Sequence, residues 1–513
     1  DQDPGQWKGC LAKSKTRNNF EQRQHLHRWI KMTKSLHTIA KSLVPPNQEM
    51  PDVSISGVKL NSSQVEKGDL FIAISGTKVD GHDFIHDAVE AGAYAIISNG
   101  RDVGELSVPM IKVTNPRRAA SIIAAEFYGH PTKDLTVIGI TGTNGKTTTA
   151  SLLYSILGQA GLKTAQLGTL GIFADGFDKE KTLTTPDAIS LQKTFSELRN
   201  GGFSHIVMEV SSHALDQYRV ADVDFNVAVF TNLTPEHLDY HATLESYYQA
   251  KARLFRMLPL ESTAIVNGSD PNGERMTQET SAPSLVYSRT NGTSIHFSNL
   301  DISISRICGT ISAGHFTYEI NSRLLGEFNS ENILAAVSSA HALGIDKTII
   351  EAGILNCSSV SGRMESFSLS SGAIAIIDYA HTPDAYDKVL GTLKELTNGT
   401  ENIFVVFGAG GDRDSTKRPE MARIAELYST HCFVTPDNPR TEDPDQISKE
   451  VVSGFSKQEF TVYSDRGEGL KDALNRAKEN DIVIVLGKGR EEYQDILGKK
   501  EFYSDLEIIR NYQ

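Results

Sequence analysis

The stretch 136-TVIGITGTNGKTTT-149 decides the fold of the central part of this chain. Its first residues are apolar or β-branched, which is typical of a buried strand, and a glycine-rich turn follows them. We predict a strand over Thr136–Ile140 and a helix over Lys146–Ala160, with the turn between them. A turn that joins a strand to a helix N-terminus commonly binds phosphate, because backbone N–H groups and the helix dipole both favour anions.

The turn has the composition of a nucleotide-binding loop, with one irregularity. Lys146 can reach the terminal phosphates, and the Thr147 hydroxyl can bind Mg²⁺. The usual spacing places a glycine at position 140, which here is Ile, whereas glycines stand at positions 139 and 142. A chance glycine-rich turn is the alternative, but the position directly after an apolar strand favours ATP binding. The residues expected to bind ATP in this loop are Gly142, Thr143, Asn144, Gly145, Lys146, Thr147 and Thr148.

Apolar strands and amphipathic helices alternate on both sides of this stretch, which predicts an α/β fold with parallel sheets. Strands are expected at 69–74, 93–97, 205–210, 227–230, 374–378, 403–407, 432–435 and 482–486, with a helix at 83–91. The length of 513 residues predicts three domains, at roughly 150 residues per domain. We place an extension at 1–45 and domains at 46–132, 133–360 and 361–513, the last being doubly wound and Rossmann-like.

The composition excludes several classes of protein. The formal net charge is −13, which argues against non-specific nucleic-acid binding, because that binding needs a basic surface. No apolar run reaches the ~18 residues of a membrane span, and the four scattered cysteines form no CxxC pair. We therefore expect a cytoplasmic protein with reduced thiols and no membrane contact, and we expect a monomer. Residues 1–31 are polar and are interpreted as an extension, disordered in its first part, rather than an organelle transit peptide, because they contain Asp1, Asp3 and Glu21.

Two side chains that follow neighbouring strands are candidates for metal binding. Glu209 closes one apolar strand, and His237 lies just after the next one. Ligand sites form at the carboxyl ends of parallel strands, and Mg²⁺ prefers oxygen, so Glu209 is the stronger candidate. His237 and His241 are four residues apart, but no HExxH motif is present, and we set a zinc site aside. Lys251 lies on an amphipathic helix, where the residues alone favour a solvated lysine.

Several loops in the C-terminal third also follow apolar strands and carry charged residues. Asp378 can hold a ribose hydroxyl, although a helix N-cap by Thr382 or Asp384 also explains this segment. The loop at 408–414 completes no GxGxxG motif, which argues against NAD. Further loops lie at 437–440 and 487–491. Each of these three loops, taken alone, is more simply explained as a solvated turn. Together they predict a pocket for a zwitterion, with Arg413 and Arg440 for a carboxylate and Glu491 for an ammonium.

Taken together, these segments resemble the Mur ligases of peptidoglycan synthesis. The resemblance runs from residue 60 to the C-terminus, and it is specific because many motifs occur in the right order. They are GTNGKTTT, TTPDA, MEVSSHALDQYRV, TNLTPEHLDYH, QAKARLF, GEFNSENILAA, GRME, DYAHTPDA, GGDRD, DNPR and GKGREEYQ. The resemblance implies a UDP-binding domain, a central ATPase and a mobile C-terminal domain.

The resemblance also implies the reaction, which is the ATP- and Mg²⁺-dependent addition of meso-diaminopimelate to a UDP-muramoyl dipeptide through an acyl phosphate. The residues that would contact the uridine are Ser62, Thr77, Lys78 and Val79. Those that would hold the muramoyl dipeptide are Thr184, Thr185, Ser211, Gln217 and Arg219. Lys146, Lys251, Glu209 and His237 would be catalytic, the last three lying with Thr147 around the metal. Asn332, Arg363 and Asp378 would bind ATP, and the diaminopimelate pocket would consist of Arg413, Asp437, Asn438, Pro439, Arg440, Gly487 and Glu491.

Lys251 matches a lysine that this family carbamylates with CO₂, so the resemblance replaces the interpretation as a solvated side chain. Two positions depart from the family pattern. Leu183 stands where Asn is frequent, which affects one substrate contact, and Arg490 stands where His is frequent. A folylpolyglutamate synthetase would lack the DNPR motif, and a non-catalytic homologue would have a degraded Lys146, Lys251 or DNPR motif, all of which are intact.

Overall fold

The computed structural model describes residues 32–45, 50–76, 79–177, 183–303, 306–397, 399–457 and 459–513. The predicted extension at 1–31 lies outside these residues. The chain divides into two compact units, one with the residues up to 130 together with 188–193 and 218–222, and the other with 131–187, 194–217 and 223–513.

The first unit is built on a parallel sheet with strand order β3-β4-β5-β6. Helix Pro116–Tyr128 begins with an Asn115 cap and a proline at its first position, and it ends at Gly129 in the left-handed region. Leu36 and Ile39 are buried in the same core, and Met32 packs against it. The elements are β1 Lys34–Ser35, α1 Leu36–Ala40, β2 Ser54–Ile55, β3 Gly57–Lys59, β4 Asp69–Ile72, α2 Ile85–Glu90, β5 Ala95–Ser98, β6 Met110–Lys112 and α3 Pro116–Tyr128.

The second unit begins with a ten-stranded sheet of order β16-β15-β14-β13-β12-β11-β7-β10-β8-β9. Its centre is parallel, whereas β9, β15 and β16 pair antiparallel at the two sides. The strands are β7 Thr136–Thr141, β8 Thr164–Gly168, β9 Gly171–Phe173, β10 His205–Glu209, β11 Val227–Phe230, β12 Thr263–Asn267, β13 Ser284–Ser288, β14 Ile295–Ile302, β15 Ile307–Ala313 and β16 Phe316–Ser322. The helices are α4 Lys146–Gln159, α5 Ala188–Asn200, α6 Ser212–Asp216, α7 Leu238–His241, α8 Leu244–Arg256, α9 Gly273–Thr277, α10 Phe328–Ala342 and α11 Lys347–Asn356.

The same unit continues into a six-stranded sheet of order β17-β18-β22-β19-β20-β21, which is parallel except for β17. Its strands are β17 Glu365–Ser368, β18 Ile374–Asp378, β19 Ile403–Phe407, β20 His431–Val434, β21 Phe460–Val462 and β22 Ile482–Leu486, followed by the hairpin β23 Tyr493–Ile496 and β24 Lys499–Phe502. Its helices are α12 Pro383–Leu396, α13 Lys417–Tyr428, α14 Pro444–Val452, α15 Arg466–Arg476 and α16 Asp505–Arg510.

The ten- and six-stranded sheets of the second unit are buried on two faces, as their continuous apolar strands predict. In the first, Ile138 and Ile140 of β7 share a core with helices α4, α10 and α11. In the second, one core lies against α12 and α13 and another against α15 and α16. Because β7, β10 and β11 are adjacent and parallel, the loops that follow them meet at one edge of the sheet. The predicted α/β alternation is confirmed, while the exact domain boundaries stay a prediction.

Candidate active site

The glycine-rich turn after β7 is held by a neighbouring loop. The side chain of Asn232 accepts a hydrogen bond from the Asn144 backbone N–H (2.8 Å) and donates one to the Asn144 carbonyl (3.2 Å). The Thr143 N–H donates to the Asn232 carbonyl (2.9 Å). The sequence analysis missed Asn232, although it lies in the quoted TNLTPEHLDYH motif. The loop is thus shaped by contacts within the protein.

Asn332, which the resemblance assigns to ATP binding, lies directly against this turn. Gly145 has a φ of +86°, and a Cβ built on it would lie 2.2 Å from Asn332 Oδ1. No other residue fits here without displacing the helix α10 side chain. The Asn332 amide is oriented by donating to Asn329 Oδ1 (2.8 Å).

Lys146 opens helix α4 with its side chain folded over the turn. Its Nζ donates to the carbonyls of Gly142 (2.8 Å) and Thr143 (2.7 Å). Burial lowers the pKa of Lys146, while Glu209 and Glu236 act in the opposite direction. An anion beside this ammonium would offset the cost of its burial, which suits a polyphosphate.

Glu209, at the end of β10, is a buried carboxylate with defined partners. Its Oε1 accepts hydrogen bonds from the Thr147 hydroxyl (3.0 Å) and from the Thr169 N–H (2.9 Å). The Thr169 hydroxyl donates to the other carboxylate oxygen (3.1 Å). The structure therefore brings the two predicted oxygen ligands, Thr147 and Glu209, into direct contact. Thr169 was not predicted, since nothing local in its sequence indicates a role.

The residues expected to hold the dipeptide extend from the same carboxylate. The Thr185 hydroxyl donates to the Glu209 carbonyl (2.9 Å) and accepts from the Ser211 N–H (3.0 Å). Thr184 reaches the Thr169 hydroxyl at 3.2 Å. Gln217 donates to the Tyr240 hydroxyl (3.1 Å). Four of the five predicted residues therefore lie in the unit that contains the glycine-rich turn.

His237 and Lys251 lie beside a carboxylate that the sequence analysis did not single out, Glu236. Burial lowers the pKa of His237 to about 4, despite the opposing effect of Glu236. Lys251 is 1% exposed, which excludes the solvated lysine that the residues alone favoured. Burial, together with the charge of Lys146, places the pKa of Lys251 well below its usual range. Its Nζ lies 4.2 Å from the ring centre of Tyr247.

The C-terminal part of the same unit closes one side of the site. Arg363 donates to the Thr147 hydroxyl (3.3 Å), and its guanidinium lies 4.8 Å from the ring centre of Tyr379. Asp378 is buried and accepts from the backbone N–H groups of Met364 and Ala380, both at 2.7 Å. Burial raises the pKa of Asp378, with the charge of Arg363 acting against this.

Asp384 connects the two sides of the site. Its Oδ2 accepts from the Asn144 amide (3.1 Å) and the Thr234 hydroxyl (3.3 Å). Thr382, and not Asp384, caps helix α12, by accepting from the Ala385 N–H (3.3 Å). Of the two candidate caps in the sequence, Thr382 is therefore the cap, and Asp384 in the first turn of α12 contacts two loops.

The loops after β19, β20 and β22, which the sequence predicts to form a zwitterion pocket, contact one another. Arg440 donates to the Gly411 carbonyl at 2.5 Å, and Asn438 donates to Glu491 at 2.9 Å. Gly487 has a φ of +104°, and a Cβ on it would lie 2.5 Å from an Asp437 oxygen. Arg413 lies on the same loop as Gly411 with an exposed side chain.

Lys488 lies at the centre of this pocket and was missed in the sequence. Its ammonium donates to Asn438 Oδ1 (3.0 Å) and lies 3.3 Å from Glu491 and 3.6 Å from Asp437. The side chain is completely buried. One cation thus fixes three of the predicted pocket residues, and Glu491 is already partly neutralised before any substrate ammonium reaches it.

The two departures from the family pattern, Leu183 and Arg490, lie in different surroundings. Leu183 is exposed. Arg490 forms an ion pair with Glu365, donating from Nε at 2.7 Å. Glu365 also accepts from the Gly362 N–H (2.8 Å), so Arg490 ties the loop after β22 to the segment that carries Arg363.

The residues expected to contact uridine belong to the first unit. Ser62 begins a short 3₁₀ turn, and the Val79 carbonyl accepts from the Gly76 N–H (2.9 Å). Arg219 also belongs to this unit. Thr77 and Lys78 lie outside the described residues.

Metal ions and membranes are two kinds of partner for which the described residues can be assessed. No three His, Cys, Asp or Glu side chains converge there as a ready-made metal site. Mg²⁺ is commonly held by one or two carboxylates together with substrate phosphates and water, so Glu209 beside the Thr147 hydroxyl fits it. Within the same residues, no helix is both long and apolar enough to cross a bilayer.

Models of three protein-family domains match the chain in sequence order. The Mur ligase family catalytic domain matches residues 54–128, the Mur ligase middle domain 140–340, and the Mur ligase glutamate ligase domain 362–489. The chain belongs to the Mur ligase family. The predicted family, the three-domain α/β fold and the class of ATP-dependent ligase are thereby confirmed.

Curated relatives cover nearly the whole Mur ligase chain. The UDP-N-acetylmuramoyl-L-alanyl-D-glutamate–2,6-diaminopimelate ligase of Syntrophomonas wolfei is 41% identical over 477 residues, covering 92% of this chain and 97% of the relative. The ligase of the same name from Aquifex aeolicus is 42% identical and covers 89% and 93%. A solved structure with that ligase's name has a TM-score of 0.67 and 32% identity, covering 94% of this chain and 99% of its own.

Proposed function

We propose that this Mur ligase adds meso-diaminopimelate to UDP-N-acetylmuramoyl-L-alanyl-D-glutamate, at the expense of ATP, in the synthesis of peptidoglycan precursors. The observation that carries the proposal is the joining of the glycine-rich turn to the C-terminal sheet, whose strands β19, β20 and β22 carry the loops of the amino-acid pocket. Asp384 contacts Asn144 and Thr234 across the two parts. The names of the relatives at 41% and 42% identity support the same substrates.

The first step is transfer of the terminal phosphoryl group of ATP to the D-glutamyl carboxylate, because a free carboxylate has no leaving group. The backbone of the glycine-rich turn and Lys146 would bind the phosphates, while Asn332, Arg363 and Asp378 would hold the rest of the nucleotide. Lys146 is already positioned over the turn by two hydrogen bonds. Its ammonium would offset the charge that develops on the transferred group.

Mg²⁺ would be held by Thr147, Glu209, His237 and a carbamylated Lys251, and it would supply charge stabilisation to the phosphates. Carbamylation requires a neutral amine that attacks CO₂ and then loses a proton. Burial and Lys146 lower the pKa of Lys251, which supports this chemistry. The product is an oxygen ligand on a long arm in place of a cation.

The second step is attack of the amino group of diaminopimelate on the acyl phosphate. Arg413, Arg440 and Asn438 would bind its carboxylates, with Asp437 and Glu491 near its ammonium group. L-Lysine lacks the distal carboxylate, so Arg440 would face an ammonium group without a partner. An unsatisfied charged group costs at least about 1–3 kcal/mol, which predicts a preference of about tenfold or more for diaminopimelate.

The UDP-muramoyl end would lie on Ser62, Thr77, Lys78 and Val79, and the dipeptide on Thr184, Thr185, Ser211, Gln217 and Arg219. These substrates are small molecules, and no nucleic acid or membrane takes part in the proposed reaction. ATP and UDP-linked sugars are cytoplasmic metabolites, which supports a cytoplasmic location. We also propose that the enzyme acts as a monomer, since all the catalytic candidates come from one chain.

The test is phosphate release from ATP by the wild-type protein with UDP-muramoyl-dipeptide present. We expect release that depends on diaminopimelate and is at least about tenfold slower with L-lysine at equal concentration. Release without any amine, or equal release with both amines, would contradict the proposal.

A further inference from the structure

The three loops of the amino-acid pocket share a buried support that none of the proposed binding residues provides. Arg466, the first residue of helix α15, is 1% exposed. It lies behind the strand ends from which the loops leave. A buried guanidinium has five N–H donors in a fixed planar arrangement. The acceptors that satisfy these donors are therefore held in defined positions.

Arg466 contacts two of the three strand ends directly. Its Nη2 donates to the carbonyl of Leu486, the last residue of β22, at 3.0 Å. Its Nη1 donates to the Thr435 hydroxyl at 3.4 Å, immediately after β20. Asp437 follows Thr435 by two residues, and Gly487 follows Leu486 directly.

The third strand end is reached through Thr435. Its hydroxyl donates to the carbonyl of Phe407, the last residue of β19, at 3.3 Å. The Thr435 N–H donates to the same carbonyl at 2.8 Å. The loop that carries Arg413 begins after Phe407. One guanidinium and one hydroxyl therefore connect the bases of all three pocket loops.

The charge of Arg466 is balanced by a buried carboxylate, Asp505. Asp505 accepts from Arg466 Nε (3.0 Å) and Nη2 (2.9 Å), and its side chain is 1% exposed. The Tyr503 hydroxyl donates to the same carboxylate (2.6 Å). A buried pair of this kind adds little net stability compared with apolar residues of the same volume. Fixed geometry is the better explanation for its presence.

We infer that Arg466, acting through Thr435 and Leu486, is a positioning residue that sets the relative placement of the three amino-acid-binding loops. This inference rests on the proposed function, because it assigns the loops to the amino-acid substrate. Arg466 itself touches none of the reacting atoms. Loss of its contacts to the strand ends should therefore raise the KM for the amino acid and leave the KM for ATP and the folded state largely intact.

The experiment compares two variants that each remove one hydroxyl from this network. Thr435→Val removes the hydroxyl that connects Arg466 to the ends of β19 and β20 and leaves its bond to the Leu486 carbonyl in place, whereas Tyr503→Phe removes a hydrogen bond to Asp505. We expect Thr435→Val to raise the KM for diaminopimelate by about five- to tenfold, the value of one ordinary hydrogen bond. Tyr503→Phe should leave this KM within about twofold, and both variants should keep the wild-type KM for ATP.

Arg466→Lys is the third variant, because it retains a charge opposite Asp505 while losing the fork of donors. It should raise the KM for the amino acid at least as much as Thr435→Val. If Arg466→Lys does not fold, the comparison of Thr435→Val with Tyr503→Phe tests the inference. An unchanged amino-acid KM in Thr435→Val, equal changes in the two hydroxyl variants, or a parallel rise in the KM for ATP would each overturn the inference.

Failure of the proposed function would appear in the wild type, as phosphate release that does not depend on diaminopimelate. The same variants are then titrated with whichever amino acid of a panel the wild type accepts. The inference stands if Thr435→Val raises the KM for that amino acid and not the KM for ATP. It falls if the two KM values change equally or not at all.

Discussion

The two halves of the active site handle charge in different ways. Around the glycine-rich turn, burial lowers the pKa of both Lys146 and Lys251, and the charge of Lys146 lowers the pKa of Lys251 further. In the amino-acid pocket, Lys488 is equally buried, yet it lies within 3.6 Å of both Asp437 and Glu491. Among the described residues, neither Lys146 nor Lys251 forms an ion pair with a carboxylate, whereas Lys488 is paired with two.

This difference teaches how each region selects its substrate. Closely spaced, desolvated ammonium groups favour any ligand that brings several negative charges, which suits ATP. A pocket whose charges are already paired gains little binding free energy from the charge of a ligand. It distinguishes between amino acids by the hydrogen bonds that the wrong one leaves unmade. We therefore expect substitutions in the first region to abolish activity and those in the second to change amino-acid preference.

The largest effect is expected for Lys146→Ala. Removing the ammonium from the turn takes away charge stabilisation of the transferred phosphoryl group, and we expect phosphate release to fall by about 10²–10³-fold or more. Steady-state phosphate release measures this. Lys133→Ala is the matched control, since Lys133 is exposed and precedes the same strand. A Lys146→Ala enzyme within tenfold of wild type would contradict the assignment of the turn to ATP.

The next largest effect separates the charge of Lys251 from its proposed carbamate. Lys251→Ala and Lys251→Arg should both lower activity by about 10²-fold, because the arginine keeps a cation but cannot become an oxygen ligand. With ¹³C-bicarbonate, the wild type should show a carbamate carbon signal that both variants lack. Full activity in Lys251→Arg would show that the positive charge alone is needed.

In the amino-acid pocket, Arg440→Ala should reduce the preference for diaminopimelate over lysine by about tenfold or more, while the KM for ATP stays unchanged. Its comparison is Arg423→Ala, whose side chain is 68% exposed and lies 3.6 Å from the exposed carboxylate of Glu420. The ratio of kcat/KM values for the two amino acids is the measurement. An unchanged ratio would refute the role of Arg440 in selectivity.

The smallest effect is expected where the two regions meet. Asp384→Ala removes the acceptor shared by Asn144 and Thr234, and we expect kcat to fall by about three- to tenfold, the value of one or two hydrogen bonds. Lys388→Ala removes the third contact of the same carboxylate, at 3.0 Å, while leaving the two loop contacts in place. If Lys388→Ala lowers kcat as much as Asp384→Ala, the connection between loops is not what matters.

The contiguous motifs were predicted with greater success than the networks between them. The turn, the helix at Lys146 and the succession of strands along the chain follow from local apolar patterns and glycine positions. Asn232, Thr169 and Lys488 were missed, because each acts on a residue distant in the chain and has an ordinary local sequence. Lys251 shows the limit most clearly, since its amphipathic helix predicts an exposed side chain and the structure buries it.

The sequence by itself determined the α/β class, the phosphate-binding turn and the family, because these depend on local periodicity and on motifs in a fixed order. Only the tertiary structure decided which charges are paired. It placed Lys251 beside Lys146 and Glu236, Lys488 between Asp437 and Glu491, and Arg466 beneath three strand ends. The physical reason is that burial and electrostatic interaction depend on distance in space, and parallel strands bring together residues that are far apart along the chain.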